Sequence, residues 1–276
     1  IQSLDVMYPL SHSLTSLTFT DLRGRFDDDQ SAEYNLGLAH RRVIPGPFGL
    51  TTSSVIGAYG FADLLSSRYN NSFWQGTVGF EYFTRGFSFR ANGYLPEDSR
   101  EPIGTTGLQV TTSGNQIFFQ NLRNFERPLP GFDAEIGRKF RFGWGQFYTR
   151  GGLFSFDDSN VPAVEGERLR AGLEIHGSTL TSELSRQTKL VLGVEWQSDD
   201  ARGDQTFGVF RFRFPFGNPF TLPDPPRLDR YGRRYHPPEP RDWHKDRLTE
   251  RIERDVDIVT QRTSDPEVVN TEPAVL

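Results

Sequence analysis

The feature that most constrains this chain is an alternation of period two that recurs along its first 216 residues. In the run from Gln205 to Phe216, Phe210, Phe212, Phe214 and Phe216 fall on one side while Arg211 and Arg213 fall on the other, which is the spacing of a strand and not of a helix. Trp74, Val78, Phe80 and Tyr82 likewise oppose Gln75, Thr77 and Glu81, and Phe87, Phe89, Ala91 and Leu95 oppose Ser88, Arg90, Asn92 and Tyr94. Leu169, Ala171, Leu173 and Ile175 oppose Arg170, Glu174 and His176; Leu190, Leu192, Val194 and Trp196 oppose Glu195 and Gln197. Each strand has one apolar and one polar face, so the chain reads as all-β and antiparallel. Strands are expected near 2–8, 14–23, 32–43, 49–61, 73–83, 86–95, 131–140, 142–153, 167–177, 188–198 and 204–214, with a weaker one at 107–119.

The alternation stops at a change of composition. Of 24 Phe, 23 lie at or before Phe216, whereas 9 of 18 Pro lie in the 60 residues after it. A Pro-rich linker is expected over 217–240, since such text favours extended or polyproline conformations over a packed core. Residues 241–262 hold no Gly or Pro, and Leu248, Ile252 and Val256 recur every fourth position among charges, the spacing of a helix. Beyond it, 263–276 reads as an extended or disordered tail leading toward a passenger segment.

Several chemistries are excluded or disfavoured. No window approaches the ~18 apolar residues of a membrane helix. The absence of Cys removes disulfides, thiol nucleophiles and thiolate-bound metals, and a net charge of -5 supplies no polycation for nucleic acid. His12, His40, His176, His236 and His244 show no paired ligand spacing. The acidic runs Asp27-Asp28-Asp29, Asp157-Asp158 and Asp199-Asp200 fall in expected loops, where turn-forming carboxylates account for them better than a cation site. No metal, cofactor or catalytic residue is assigned, and the chain reads as no enzyme. Ile1 follows neither Met nor a charged-then-apolar leader, so the chain reads as a processed or excised segment.

Alternation alone leaves a soluble sandwich and a membrane barrel both open. Two features favour the barrel. Many strands have the ~10-residue length of a tilted membrane strand, and the connections alternate in size, with 178–187 alone breaking the rule: short near 9–13, 44–48, 84–85 and 141, longer at 24–31, 62–72, 96–130, 154–166 and 199–203. The polar faces also carry Glu81, Arg90, Glu174, Glu195, Arg211 and Arg213 in mid-strand, where opposite charges pair across a wet lumen.

Three local strings, in order, resemble the β-barrel domain of inverse autotransporters, the intimin and invasin family. Asn92-Gly93-Tyr94-Leu95-Pro96 closes a strand and opens a large loop; Glu126-Arg127-Pro128, then Gly131-Phe132-Asp133, closes the loop and opens the next strand; Ile252-Glu253-Arg254 followed by Ile258-Val259 lies after the last strand. The resemblance implies an up-and-down transmembrane barrel over 1–216, of about twelve strands, whose first lies upstream of Ile1. It further implies type V secretion: an outer-membrane anchor whose linker and helix occupy the pore and whose C-terminal segment reaches the cell surface as an adhesin-like display. Arg247, Arg251, Glu253, Arg254 and Asp255 are expected to pair with Glu81, Glu195, Arg90 and Arg211. The implied partners are outer-membrane lipid, barrel-assembly machinery, periplasmic chaperones and, through a passenger, a host or surface ligand. An outer-membrane pore with a self-inserted plug, a soluble sandwich that binds a ligand, and a barrel enzyme with a rim active site are the alternatives.

Overall fold

The alternating segments become long strands that pair with their sequence neighbours. β1 (Gln2–His12), β2 (Ser16–Phe26), β3 (Ala32–Ile44), β4 (Ser54–Ser66), β5 (Ser72–Phe83) and β6 (Phe87–Pro96) form a continuous antiparallel meander. A hairpin, β7 (Glu101–Ser113) and β8 (Gln116–Pro128), then leaves the sheet, and β9 (Gly131–Phe142) returns beside β6. β10 (Gly145–Asp158), β11 (Val161–His176), the short helix α1 (Gly177–Leu180), β12 (Lys189–Asp199) and β13 (Gly203–Arg213) follow, completing an 11-stranded sheet. After it come the small pairing of β14 (Arg227–Leu228) with β15 (Arg234–Tyr235), the helix α2 (Asp242–Leu248), and β16 (Thr260–Pro273), which pairs with β8. This computed structural model describes residues 2–13, 15–46, 53–113, 116–159, 161–180, 188–214, 227–228, 234–235, 242–254 and 258–273.

One end of the sheet, the near rim, carries the connections 13–15, 84–86 and 143–144; the far rim carries 27–31, 67–71, 159–160 and 200–202. The edge strands β1 and β13 both run from far rim to near rim, and among the described residues they are not hydrogen-bonded to each other.

Burial is inverted relative to a water-soluble protein. Along β3, Tyr34, Leu36 and Leu38 are exposed while Glu33, Asn35 and Arg41 are buried; along β5, Trp74, Val78 and Phe80 are exposed while Gln75, Thr77 and Glu81 are buried. Ionic groups fill the inside and apolar side chains form the outer wall, the arrangement of a transmembrane barrel and the opposite of a sandwich with a dry core. Most of the buried apolar side chains gather in two clusters, with Phe73, Tyr148, Val191 and Ile258 buried outside them. Leu17, Phe19, Val55, Tyr59, Phe61 and Phe83 pack on Trp243, Leu248 and Ile252; Tyr94, Leu129, Phe154, Phe156, Val161 and Val164 pack on Val259.

Several expected boundaries move. The loop expected at 154–166 narrows to the connection between Asp158 and Val161, which pair with each other, because Phe154, Phe156, Val161 and Val164 belong to the second cluster and carry the ladder outward. The loop expected at 62–72 likewise shrinks to 67–71, and the weak strand at 107–119 becomes the hairpin β7–β8. Size alternation between rims is therefore weaker than the sequence suggests. Gly143 and Trp144 form a turn instead of continuing a strand. The strand expected at 49–61 runs from Ser54 to Ser66, and residues 49–52 lie outside the described residues.

Two corrections concern the tail. The helix expected over 241–262 ends at Leu248, and the tail expected to be extended or disordered from 263 is ordered as a strand as far as Pro273. Past the helix end, the carbonyls left without helical partners are bonded by side chains of the wall. Arg41 donates to the carbonyls of Leu248 (2.9 Å) and Glu250, and Arg23 donates to that of Ile252 (2.7 Å). Most of the linker 217–240 lies outside the described residues, as do Asp255 and Val256.

Candidate functional site

The inner face is built as rows of charge across neighbouring strands. Arg41, Gly57, Glu81, Arg90 and Glu135 stand opposite one another in register on β3, β4, β5, β6 and β9. Arg41 crosses β4 to reach Glu81 (2.7 Å), and Arg90 lies between Glu81 (3.4 Å) and Glu135 (3.4 Å). The crossing is possible because β4 offers a glycine there: a Cβ on Gly57 would stand 3.0 Å from Arg41 Cγ and 3.1 Å from Glu81 Oε2. Gly137 does the same for Arg150, whose Cγ would be 2.7 Å from an added Cβ. Strand glycines that read from the sequence as points of bending thus also serve as gaps over which long side chains lie.

Through this wall runs the segment after α2. At the near rim, His244 bonds Ser53 (2.7 Å), Lys189 meets Asp246 (3.4 Å), and Arg247 donates to the carbonyls of Thr84 (3.1 Å) and Phe87 (3.0 Å). Deeper in, Glu250 is ringed by Arg90 (2.7 Å), Arg247 (2.8 Å), Lys139 (3.0 Å) and Arg150 (3.4 Å). Arg254 is clamped by Asp63 (2.6 Å) and Asn35 (2.8 Å). Toward the far rim, Ile258 N–H donates to Glu33 (3.1 Å), Leu129 N–H donates to the Val259 carbonyl (2.8 Å), and Thr260 donates to Glu126 (3.0 Å). From there β16 continues along β8.

The sheet therefore encircles the segment. Arg251 holds Asp5 of β1 (2.6 Å) and Glu253 (3.4 Å), while Glu253 approaches Arg211 of β13 (3.8 Å), so the two edge strands are joined through the segment between them. The cavity lined by Glu135, Arg170, Glu253 and Arg254 is only about 10 Å³. At the far rim the space opens into a cavity of about 610 Å³ beside Arg25, Arg68, Glu126, Val259 and Arg262. Buried charges need complementary partners; here the wall supplies many of its own, as Glu81, Glu174 and Glu195 do, and the segment adds Glu250 and Glu253 as counter-charges for wall cations.

The residues expected at this site are brought together, though mostly in other pairs than those expected. Glu81, Arg90 and Glu174 are buried on the inner face; Glu195, Arg211 and Arg213 are half-buried there. Arg211 meets Glu253 as expected, but Glu81 serves Arg41 and Arg90 of the wall, and Glu195 serves Arg168 (3.1 Å) and Arg170 (2.8 Å). Glu174 binds Lys139 (3.4 Å) and Lys189 (3.5 Å). Of the tail groups, Arg247 pairs within its own segment, Arg251 takes Asp5, and Arg254 takes Asp63. Asn92 and Tyr94 both bond Asp133, Glu126 also accepts from Ser67 (2.7 Å), Arg127 reaches Asp98 (2.6 Å) and Asp158 (3.1 Å), and Phe132 faces outward. Gly93 lies opposite Phe132, Pro128 opposite Thr260, and Gly131 would clash with Phe156 if given a Cβ. Of the functional residues that sequence reasoning missed, Arg41 has inward parity on its expected strand, but Asp63 falls in an expected loop and Glu250 in the expected helix, and nothing in the text says which charge meets which.

A family model described as inverse autotransporter, beta-domain, matches residues 1–142. A solved structure described as "Unveiling the Mechanism Behind the in-meso Crystallization of Membrane Proteins" is similar over 95% of this chain and 92% of its own, with a TM-score of 0.58 and 16% identity, a likeness of fold. No curated protein matches the chain.

Proposed function

The chain belongs to the inverse autotransporter β-domain family, and from that premise we propose that this translocator of the bacterial outer membrane exports its own C-terminal segment through its barrel and displays it at the cell surface. The observation that carries the reading is the course of residues 242–254 and 258–260, which enter beside the 84–86 turn and leave beside Glu126 at the opposite rim. The near rim is then periplasmic and the far rim extracellular, and β16 lies outside the cell. Strand addition to β8 retains the emerging chain there. The reading asks no bond-breaking of these residues. Its partners are the surrounding lipid, the assembly machinery and chaperones that deliver the barrel, and a surface ligand for an adhesin-like passenger.

An epitope placed after Pro273 tests it: intact cells are expected to bind an impermeant antibody as strongly as permeabilised cells. Labelling only after permeabilisation would overturn display. The tight packing around Glu253 and Arg254 favours a second reading, a plugged pore, and that outcome would leave it standing.

A further inference from the structure

The outer wall is apolar, and its few charges are sorted by height. At the near end of the strands the outward-facing charges are cations, Arg42 on β3 and Arg138 on β9; at the far end they are carboxylates, Glu165 and Glu167 on β11 and Asp204 on β13. Neither Arg42 nor Arg138 makes an ion pair among the described residues. An unpaired guanidinium facing hydrocarbon is costly, and the cost is relieved when the side chain snorkels to a headgroup phosphate.

Arg138 is also shaped for such a partner. Its guanidinium lies over the exposed rings of Phe87 (5.1 Å) and Phe140 (4.9 Å), with Phe147 beyond Phe140 (6.4 Å). Phe142 and Trp144, 4.5 Å apart, mark the rim just below. The two rings flank the guanidinium, a group whose N–H fork forms paired hydrogen bonds to phosphate oxygens.

We propose that Arg138, seated on Phe87 and Phe140, is a binding site for the phosphate of an anionic phospholipid in the leaflet at the near rim, with Arg42 a second contact to that leaflet. The inference rests on the outer-membrane location and not on export. The carboxylates at the other end fit the same sorting, since they would repel phosphate there. The ligand is a lipid headgroup and not a free anion, because Arg138 is flanked by exposed rings that face acyl chains.

The test uses the whole barrel in nanodiscs of phosphatidylcholine containing a minor share of phosphatidylglycerol, with native mass spectrometry counting the lipids retained. Wild type is expected to retain phosphatidylglycerol in preference to phosphatidylcholine. Arg138→Gln is expected to reduce the preference about fivefold, the factor equivalent to about 1 kcal/mol per arginine near a charged surface. Arg138→Lys, which keeps the charge but loses the fork, is expected to lie between them and shows that the site tolerates substitution. Equal retention of the two lipids by wild type, or an unchanged preference in Arg138→Gln, overturns the proposal. Loss of the preference on adding inorganic phosphate at constant ionic strength also overturns it, since the site would then bind a free anion. None of these outcomes depends on whether a C-terminal epitope reaches the surface, so export and lipid binding fail separately.

Discussion

Glu250 is the residue on which most of the threaded segment's attachment converges, since four cations lie within 3.4 Å of its carboxylate. Replacing it with Gln keeps the volume and leaves Arg90, Lys139, Arg150 and Arg247 without their shared counter-charge. Breaking a buried pair from one side costs about 3–5 kcal/mol, so the urea midpoint of the folded barrel is expected to fall clearly in Glu250→Gln. Glu253→Gln, whose contacts to Arg150 (3.3 Å), Arg251 (3.4 Å) and Arg211 (3.8 Å) are longer, is expected to fall less; equal falls would show that Glu250 is no hub. A gap residue gives an independent check. In Gly137→Ala the new methyl would stand 2.7 Å from Arg150 Cγ and 2.8 Å from Ser88 Oγ, a displacement expected to cost about 1–3 kcal/mol. The alternation of Arg90 with Phe89 and of Glu81 with Phe80 made the inward residues legible. Pairing was not legible, because a long Arg crosses a whole strand, as Arg41 does over Gly57, and a one-dimensional text carries no such distance.

At the scale of elements, the eleven barrel strands were legible because each carries its own period, whereas the tail was misread because its period was borrowed from the wall. Leu248 and Ile252 repeat at helical spacing, yet only Leu248 lies in a helix, and Ile252 reaches the same apolar cluster along chain whose carbonyls are bonded to Arg41 and Arg23. A helix rises about 1.5 Å per residue and extended chain about 3.3 Å, so leaving the helix early lets few residues span the wall. β16 had no alternation strong enough to mark it, since a strand that adds to an exposed hairpin edge is stabilised by backbone bonds with little call on side-chain pattern. The pairing is open to direct measurement. Ser264 lies opposite Asn124, with 2.6 Å between Ser264 Oγ and Asn124 Oδ1, and the chain has no Cys to interfere. The double variant Ser264→Cys with Asn124→Cys is expected to cross-link on mild oxidation in the folded barrel, and the pair Ser264→Cys with Ser113→Cys is not. Failure of the first pair, or equal yield from both, would remove the strand addition at the exit.

For the whole molecule, the decisive property is the inversion of its faces, because alternation is common to sandwiches and barrels and only the environment of each face separates them. The sequence gives parity; it does not say which parity meets lipid, and that became readable through the three family strings and then through burial, with Glu81 fully buried and Val78, three residues before it, 58% exposed. The same inversion makes a quantitative claim about depth. An arginine on the outer face of a membrane barrel costs about 2–4 kcal/mol at the bilayer midplane and about 0–1 kcal/mol near an interface, whereas on the surface of a water-soluble sheet both substitutions would lie within about 0.5 kcal/mol. Val78 sits in the middle of β5, and Leu95, 66% exposed, sits near the far-rim end of β6. Folding into lipid vesicles against urea is therefore expected to show Val78→Arg destabilised by about 2–4 kcal/mol and Leu95→Arg by about 0–1 kcal/mol. Equal and small effects at the two positions would mean that water bathes this wall, and the anchor, the conduit and the lipid site would all lose their common ground.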